Sequence, residues 1–373
     1  MTPTESLARL RLARTEGIGP QNFRRLMAQH GGATAALRAL SGDPTRRFTP
    51  PDPGKVEREH DAVLAMGGAW LHLGSPGYPP LLAQLDDAPP ILAALGNTAL
   101  LPSRQVALVG ARNASAGGRR IAEDMAEALA EAGVTVTSGL ARGIDAAAHA
   151  GALRHGRTIG VIPGGLDIAY PPENRDLQDR IAERGLLLAE APLGTAPLAR
   201  HFPRRNRIVA GLSLGIVVVE AAPRSGTLIT ARLGAEAGRE IYAVPGSPLD
   251  PRCQGSNDLL RQGAHFCERA ADVLETLPAT AEAMPLFARR PSRAPARAPA
   301  RAPATREESS TSDLLSLIGP TPVMVDEVLR RCHLSPPNAR AALLDLELEG
   351  LIEALPGNRV VRSGIQRAEE LEG

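Results

Sequence analysis

The sequence predicts an α/β chain built on a parallel sheet with helices on both faces, preceded by a helical region and followed by a small C-terminal domain. Two observations predict it. Six short apolar runs, Val106–Val109, Val134–Thr137, Thr158–Ile162, Leu186–Ala189, Ile216–Val219 and Ile241–Val244, are separated by helix-length segments. That spacing belongs to βαβ units, whose strands are buried on both faces. Residues 279–311 are Ala, Pro, Arg and Ser with almost no large apolar residue. Such a stretch cannot bury a core and reads as an extended linker.

In chain order, residues 1–100 read as short helices. Leu7, Leu10 and Leu12 mark an apolar face, Gly17-Ile18-Gly19-Pro20 a turn, and Phe23, Leu26 and Met27 a second helical face. Helix, GIGP turn and helix resemble a SAM-like or helix-hairpin-helix module, read here as a packing unit. Beyond the linker, 313–318, 323–331 and 337–349 read as helices. Leu351–Ala354 and Arg359–Val361 then flank a Pro356-Gly357-Asn358 turn. This is winged helix-turn-helix anatomy. The expected domains are therefore 1–75, 76–278, the linker 279–311, and 312–363.

The 373 residues carry a formal net charge of +1, with 43% hydrophobic and 22% charged residues. That excludes a globally basic nucleic-acid binder and an acidic tail protein. Lys55 is the only lysine among 42 basic residues, a bias that reads as GC-rich coding. Every other cationic contact must come from a planar guanidinium, which suits phosphate. One Trp, three Tyr and five Phe leave no aromatic-rich platform for stacking bases. Cys253, Cys267 and Cys332 are too few and scattered for a disulfide frame or a zinc site. The opening MTPTESLARLRLAR has no apolar core of a signal peptide, and no run reaches membrane-spanning length. A soluble, cytoplasmic protein without cofactor or metal is expected.

Ligands of parallel sheets bind beyond the carboxyl ends of the strands. Five loops there carry chemistry. Gly110-Ala111-Arg112-Asn113-Ala114-Ser115 has Arg112 and Ser115 where a dinucleotide fingerprint wants glycines. A guanidinium, a hydroxyl and the amides of the next helix suit a single phosphodiester. In Ser138–Asp145, Gly139 and Gly143 permit a tight turn, and Arg142 reaches toward a phosphate beside Arg112. Asp145 and His149 share a helix face but lack a third ligand, so they read as structural hydrogen bonding. Pro163-Gly164-Gly165 leads to Tyr170-Pro171-Pro172-Glu173-Asn174-Arg175, with Arg175 a further phosphate contact. Between Glu190 and Glu220 there is no acid, yet Arg200, His201, Arg204, Arg205 and Arg207 cluster there with Asn206. Phe202 lies among them, available to meet a base. Finally, Ser225-Gly226-Thr227 opens a helix and can hold an anion or act as an N-cap. On one rim these groups form a polyanion clamp; no nucleophile–base pair accompanies them.

The segments G110-A-R-N-A-S115, S138-G-L-A-R-G-I-D145, P163-G-G-L-D-I-A-Y-P-P-E-N174, F202-P-R-R-N-R-I-V-A-G-L-S213, S225-G-T-L-I-T-A231 and V244-P-G246 together resemble the DNA-processing protein A (DprA, or Smf) family, in order across the whole sheet region. The resemblance implies an extended Rossmann-like core that dimerises and binds single-stranded DNA, with a SAM-like head and a winged-helix tail. It implies a recombination mediator without catalytic turnover, which protects incoming single strands in natural transformation, counters single-strand-binding protein and loads RecA recombinase. It maps the family's phosphate-contacting Arg to Arg112 with Ser115 beside it, its Gly-rich turn to Arg142 and Gly143, and its phenylalanine to Phe202. Together with the rim reading above, DNA contact is expected at Gly110, Arg112, Ser115, Gly139, Arg142, Gly143, Asn174, Arg175, Phe202, Arg204, Asn206, Arg207, Ser225, Gly226 and Thr227. Some members carry a basic residue three positions before the Phe. Here that position is Ala199, and Arg200 beside it is read as supplying the charge.

Two rivals stand against this. A nucleotide phosphoribohydrolase of the lysine-decarboxylase-like group would need PGGxGTxxE. Here Leu166 and Asp167 follow Pro163-Gly164-Gly165, and the carboxylate is missing. A duplex reader would use the winged helix, yet 312–363 holds five arginines against seven acids, and its recognition helix sets Asp345, Glu347 and Glu349 against Arg340 alone. That helix fits partner contact or weak modulation better than a phosphate-lined groove.

Overall fold

The computed structural model describes residues 1–41, 48–278, 318, 322–331, 343, 346, 351–355 and 359–362. They fall into two compact units, Met1–Arg289 and Arg290–Gly373.

The first unit begins with α1 (Pro3–Ala13), α2 (Pro20–His30), α3 (Ala33–Ser41) and α4 (Pro53–Ala65). Local chemistry sets their ends. Thr2 caps α1 by accepting from the Glu5 amide, and Pro3 sits where its missing N–H costs nothing. Asp52 caps α4 in the same way. Leu12, Phe23, Leu26 and Leu37 form a small core with Ile18 of the GIGP turn. The head is fastened to the sheet domain by arginines. Arg14 holds Glu59 at 2.7 Å and donates to the Glu190 carbonyl at 2.9 Å. Arg24 donates to the carbonyls of Ala83 and Leu85.

The sheet region runs β1 (Ala69–His72), α5 (Pro80–Ala83), β2 (Ile91–Gly96), β3 (Gln105–Val109), α6 (Ala116–Glu131), β4 (Thr135–Ser138), α7 (Ile144–Leu153) and β5 (Thr158–Ile162). It continues through α8 (Arg175–Arg184), β6 (Leu186–Ala189), α9 (His201–Leu212), β7 (Gly215–Val218), α10 (Gly226–Glu236), β8 (Glu240–Ala243), α11 (Gln254–Arg261), β9 (His265–Phe266) and α12 (Ala270–Thr276). The nine strands lie in the order β1-β2-β6-β5-β4-β3-β7-β8-β9. From β6 to β9 all pairs are parallel; β2 is antiparallel to both β1 and β6. The order reverses at β3 and β7, the switch point of a doubly wound sheet.

Alternation within strands assigns the two faces. Val106 and Leu108 pack with Met125, Leu129 and Ile144 of α6 and α7, while Ala107 and Val109 pack with Ile208 and Leu212 of α9. Both faces are apolar because both are covered. All six expected strands are present, within one residue at each end. The boundary expected at 75/76 is corrected: β1 pairs with β2 and belongs to the sheet. Its four residues follow α4 after a two-glycine turn, too short a run to show alternation.

In the second unit, β10 (Val323–Met324), α13 (Val325–Arg331), β11 (Ile352–Leu355) and β12 (Arg359–Arg362) are described. The strands form an antiparallel sheet in the order β10-β12-β11. The helix expected from 323 thus starts two residues later, after a strand. Its core gathers Ile318, Val328, Leu343, Leu346, Ile352 and Val360. The helices expected at 313–318 and 337–349, and the linker, lie largely or wholly outside the described residues.

Two buried histidines make stability pH-dependent. His72 contacts Ser6 and His149 contacts Thr158, each through one ring nitrogen. Burial lowers His72 to about 4 and His149 to about 3. An unfolded histidine titrates near 6.5. Below that pH the unfolded chain takes up protons that the folded chain refuses, so stability is intact above pH 6.5 and is lost toward pH 4. By pH 4.5 the two sites together cost about 5 kcal/mol. Urea unfolding at pH 7 and pH 4.5 measures this, and His149→Gln is expected to remove about half of the difference.

Candidate nucleic-acid interface

The loops after β3, β4 and β5 and the first turn of α9 converge on one concave site of about 230 Å³. Its lining includes Arg112, Gly139, Arg142, Tyr170, Glu173, Phe202 and Arg205. At the mouth, the Arg112 guanidinium lies 4.9 Å from the centroid of the Phe202 ring, and Tyr170 lies on another side at 5.6 Å. The cation–π contact orients Arg112 while leaving its donors exposed to solvent. Arg142 pairs with Glu173 at 3.4 Å, both more than half exposed, a pair of little energy that an incoming phosphate can replace. Arg175, Arg200 and Arg204 are exposed on the same rim. With Arg112, they form no ion pair among the described residues.

Backbone constraints build the site. Gly143 sits at φ +77°, ψ −120°, and a Cβ there would meet the carbonyls of Ala111 and Arg112 at 2.3 and 2.6 Å. Gly110 lies against Ile144, where a Cβ would come within 2.5 Å. The β3 and β4 loops are therefore locked together through their glycines. Asn174 donates to the Leu140 carbonyl at 2.9 Å and fixes the β5 loop to the β4 loop. Thr227 donates to the Gly110 carbonyl at 3.0 Å, and Asn206 to the Gly226 carbonyl at 3.4 Å. These groups position the rim. The Ser225 hydroxyl is buried and finds no partner among the described residues.

Three expected contacts are corrected. The Ser115 hydroxyl donates to Glu220 at 2.5 Å and accepts from the Gly118 amide, and the Ser115 amide donates to the same carboxylate. Glu220 thus occupies the anion-seeking start of α6 and engages the Ser115 hydroxyl and amide that a phosphodiester would use. Arg207 is buried and holds Glu190 at 2.6 Å, with a second bond to the Asp87 carbonyl. Gly139 is covered by the Arg205 guanidinium rather than open to a ligand backbone. The cluster of four arginines in eight residues divides by partner: Arg205 is buried against Asp145 and Arg207 against Glu190. Arg200 and Arg204 reach solvent while Arg205 and Arg207 point inward.

Asp145 and His149 are structural. The Asp145 carboxylate accepts from the Gly139 and Ala141 amides and faces Arg205 at 3.9 Å. Burial pushes its carboxyl up; Arg205 and the amides work against that. Asp167, in the Pro-Gly-Gly loop, is spent on the Gly194 amide at 2.9 Å. The sequence places Arg205 in the arginine cluster without singling it out, and names Tyr170 only as part of its loop. One signal was present: Phe202 and Arg205 are three apart and share a face of α9.

Residues 69–278 match the family described as DNA recombination-mediator protein A. Residues 3–62 match the DprA-like N-terminal HHH domain and 295–358 the DprA winged helix domain. The DNA processing protein DprA of Bacillus subtilis (strain 168) is 42% identical over 226 residues, 60% of this chain and 76% of that protein. The solved structure of DNA processing protein A from Streptococcus pneumoniae aligns with a TM-score of 0.65 at 34% identity, over 74% of this chain and 99% of that one. DNA processing protein A from Helicobacter pylori, described for its single-stranded DNA binding mode, aligns with a TM-score of 0.51 at 30% identity, over 56% of this chain and 95% of that one. A doubly wound sheet with a helical HHH head and a winged-helix tail, and a matched family region that spans the entire rim, lead to one assignment: the chain belongs to the DNA recombination-mediator protein A family.

Proposed function

We propose that this protein binds single-stranded DNA along the rim and acts as a recombination mediator without catalytic turnover. The observation that carries the reading is Phe202 held between Arg112 and Tyr170, with Arg175, Arg200 and Arg204 exposed around it. One ring for a base and several guanidiniums for phosphates suit a single strand bound without sequence readout. The binding mode described for the Helicobacter pylori relative supports it. Turnover is left out because the pocket lining offers no Ser, Cys or His nucleophile or base among the described residues, and Asp145 and Asp167 beside it accept from backbone amides.

Finer parts of the reading follow the family. The protein hands single strands to RecA recombinase past single-strand-binding protein, serves natural transformation, and works in the cytoplasm. Among the described residues no helix is long and apolar enough to cross a membrane. It acts as a homodimer, for which Phe266, 56% exposed on the edge strand β9, offers an apolar contact.

The test is a salt-titrated comparison of single- and double-stranded oligonucleotides with the full-length protein. Single strands are expected to bind more tightly. Arg112→Ala is expected to lower single-strand affinity about ten-fold, the worth of a charge-assisted bond. It should also flatten the log–log salt slope by about 0.7. Unchanged binding by folded Arg112→Ala protein sinks the assignment of this rim.

A further inference from the structure

Arg205 is only 6% exposed, yet its guanidinium forms part of the lining of the concave site. Its Nε finds no acceptor among the described residues. Its carboxylate partner Asp145 stands 3.9 Å from Nη1, beyond hydrogen-bond reach, and is itself engaged by two amides. A buried guanidinium normally has its donors filled, because leaving them empty is costly. Arg205 lines the same concave site as Arg112, Phe202 and Tyr170.

The lining is net positive. Arg112, Arg142 and Arg205 stand against Glu173, a balance of +2, with Asp145 beside Arg205 reducing it to +1. If a ligand displaces Glu173 from Arg142, the balance at the ligand rises again. An internal phosphodiester carries a single negative charge and is esterified on two sides, so the chain must both enter and leave wherever it binds. The site, about 230 Å³, is roughly eight waters in volume. It admits one phosphate with part of its sugar, and is too small for a strand that enters and turns back. A phosphomonoester carries about −1.5 to −2 at pH 7 and three acceptor oxygens. It has one ester link and can reach Arg205 with its nucleoside left at the mouth.

We infer that the site lined by Arg205 and Phe202 is a phosphomonoester site, which seats the terminal phosphate of a DNA strand or of a free mononucleotide on Arg205. This rests on the single-strand reading and names the part of the strand that the deepest donors take. Internal phosphates then lie on the exposed arginines of the rim, and the strand end is the part that is fixed.

The test uses full-length protein and a thymidine 12-mer in four forms: 5′-phosphorylated, 3′-phosphorylated, hydroxyl at both ends, and circularised. Thymidine 5′-monophosphate is the free competitor. A phosphorylated end is expected to bind about ten-fold tighter than the hydroxyl form, as one or two charge-assisted bonds to a buried donor allow. Displacement of that advantage by thymidine monophosphate also supports the site, and so does binding of the mononucleotide alone; an end effect without mononucleotide binding assigns the site to strand ends. Since Arg205→Gln alone leaves Asp145 buried without its cation, the paired variant D145N/R205Q is measured for the ratio of phosphorylated to hydroxyl affinity. That ratio is expected to fall toward one. Equal binding of all four forms, with no binding of thymidine monophosphate, overturns the inference and leaves single-strand binding standing. Loss of all strand binding, with mononucleotide binding kept, overturns the single-strand reading and leaves the site standing.

Discussion

Asp145→Ala is expected to destabilise the protein by about 3–5 kcal/mol, the usual cost of leaving one member of a buried ion pair alone. Arg205 cannot be discharged to escape that cost, since a guanidinium stays protonated in proteins. Asp145 is also the acceptor for the amides of Gly139 and Ala141, which would be left unsatisfied with it. Asp145→Asn keeps an acceptor oxygen and is expected to lose less. Replacing both members, as D145L/R205M, is expected to recover most of the loss, because it removes the buried charges together. Urea midpoints at pH 7 decide it. A loss below about 1 kcal/mol for the alanine variant, within the range of ordinary surface pairs, would mean that the pair carries no structural weight.

Gly143→Ala is expected to cost at least about 3 kcal/mol, by adding backbone strain to a collision. The colliding atoms are the main-chain carbonyls of Ala111 and Arg112, which cannot rotate aside as a side chain can. Relief requires that the Arg112 loop move, so single-strand affinity should fall in the same variant at temperatures where it remains folded. Gly133 is the control. Its φ is +83°, close to that of Gly143, yet nothing lies within 4 Å of its Cβ direction. Gly133→Ala should therefore cost only the conformational part, about 1–2 kcal/mol, and leave DNA binding alone. Similar losses in the two variants would show that the close approach of the two loops is not what demands glycine.

The parts legible in the sequence were those that local periodicity encodes. The six central strands are continuous apolar runs because both faces of a parallel sheet are covered, and their ends fell within a residue. β1, β2 and β9 were not legible: β1 and β9, at four and two residues, are too short for any pattern, and β2, six residues, lies in a stretch that the sequence reads as helical. For the site, Arg112, Arg142 and Phe202 were recognised from loop position, and they do meet. Ser115 and Arg207 were misread for one reason. Each is claimed by a carboxylate distant in sequence, Glu220 and Glu190, and a local charge count cannot see a partner that folding brings in. Arg205, named within the cluster, is not set apart from it by sequence, since among neighbours of the same type only depth distinguishes it.

Glu190 has a consequence for mechanics. Its carboxylate holds Arg207 of α9, and its main-chain carbonyl holds Arg14 of the head, which is braced in turn by Glu59. One residue therefore pins two levers, at the root of the segment that carries Arg200 to the rim. Two arginine side chains thus link the helical head to the base of that segment. The head then acts as a brace that sets the stiffness of that loop, and the protein's grip on a strand becomes sensitive to load applied some distance from the strand itself.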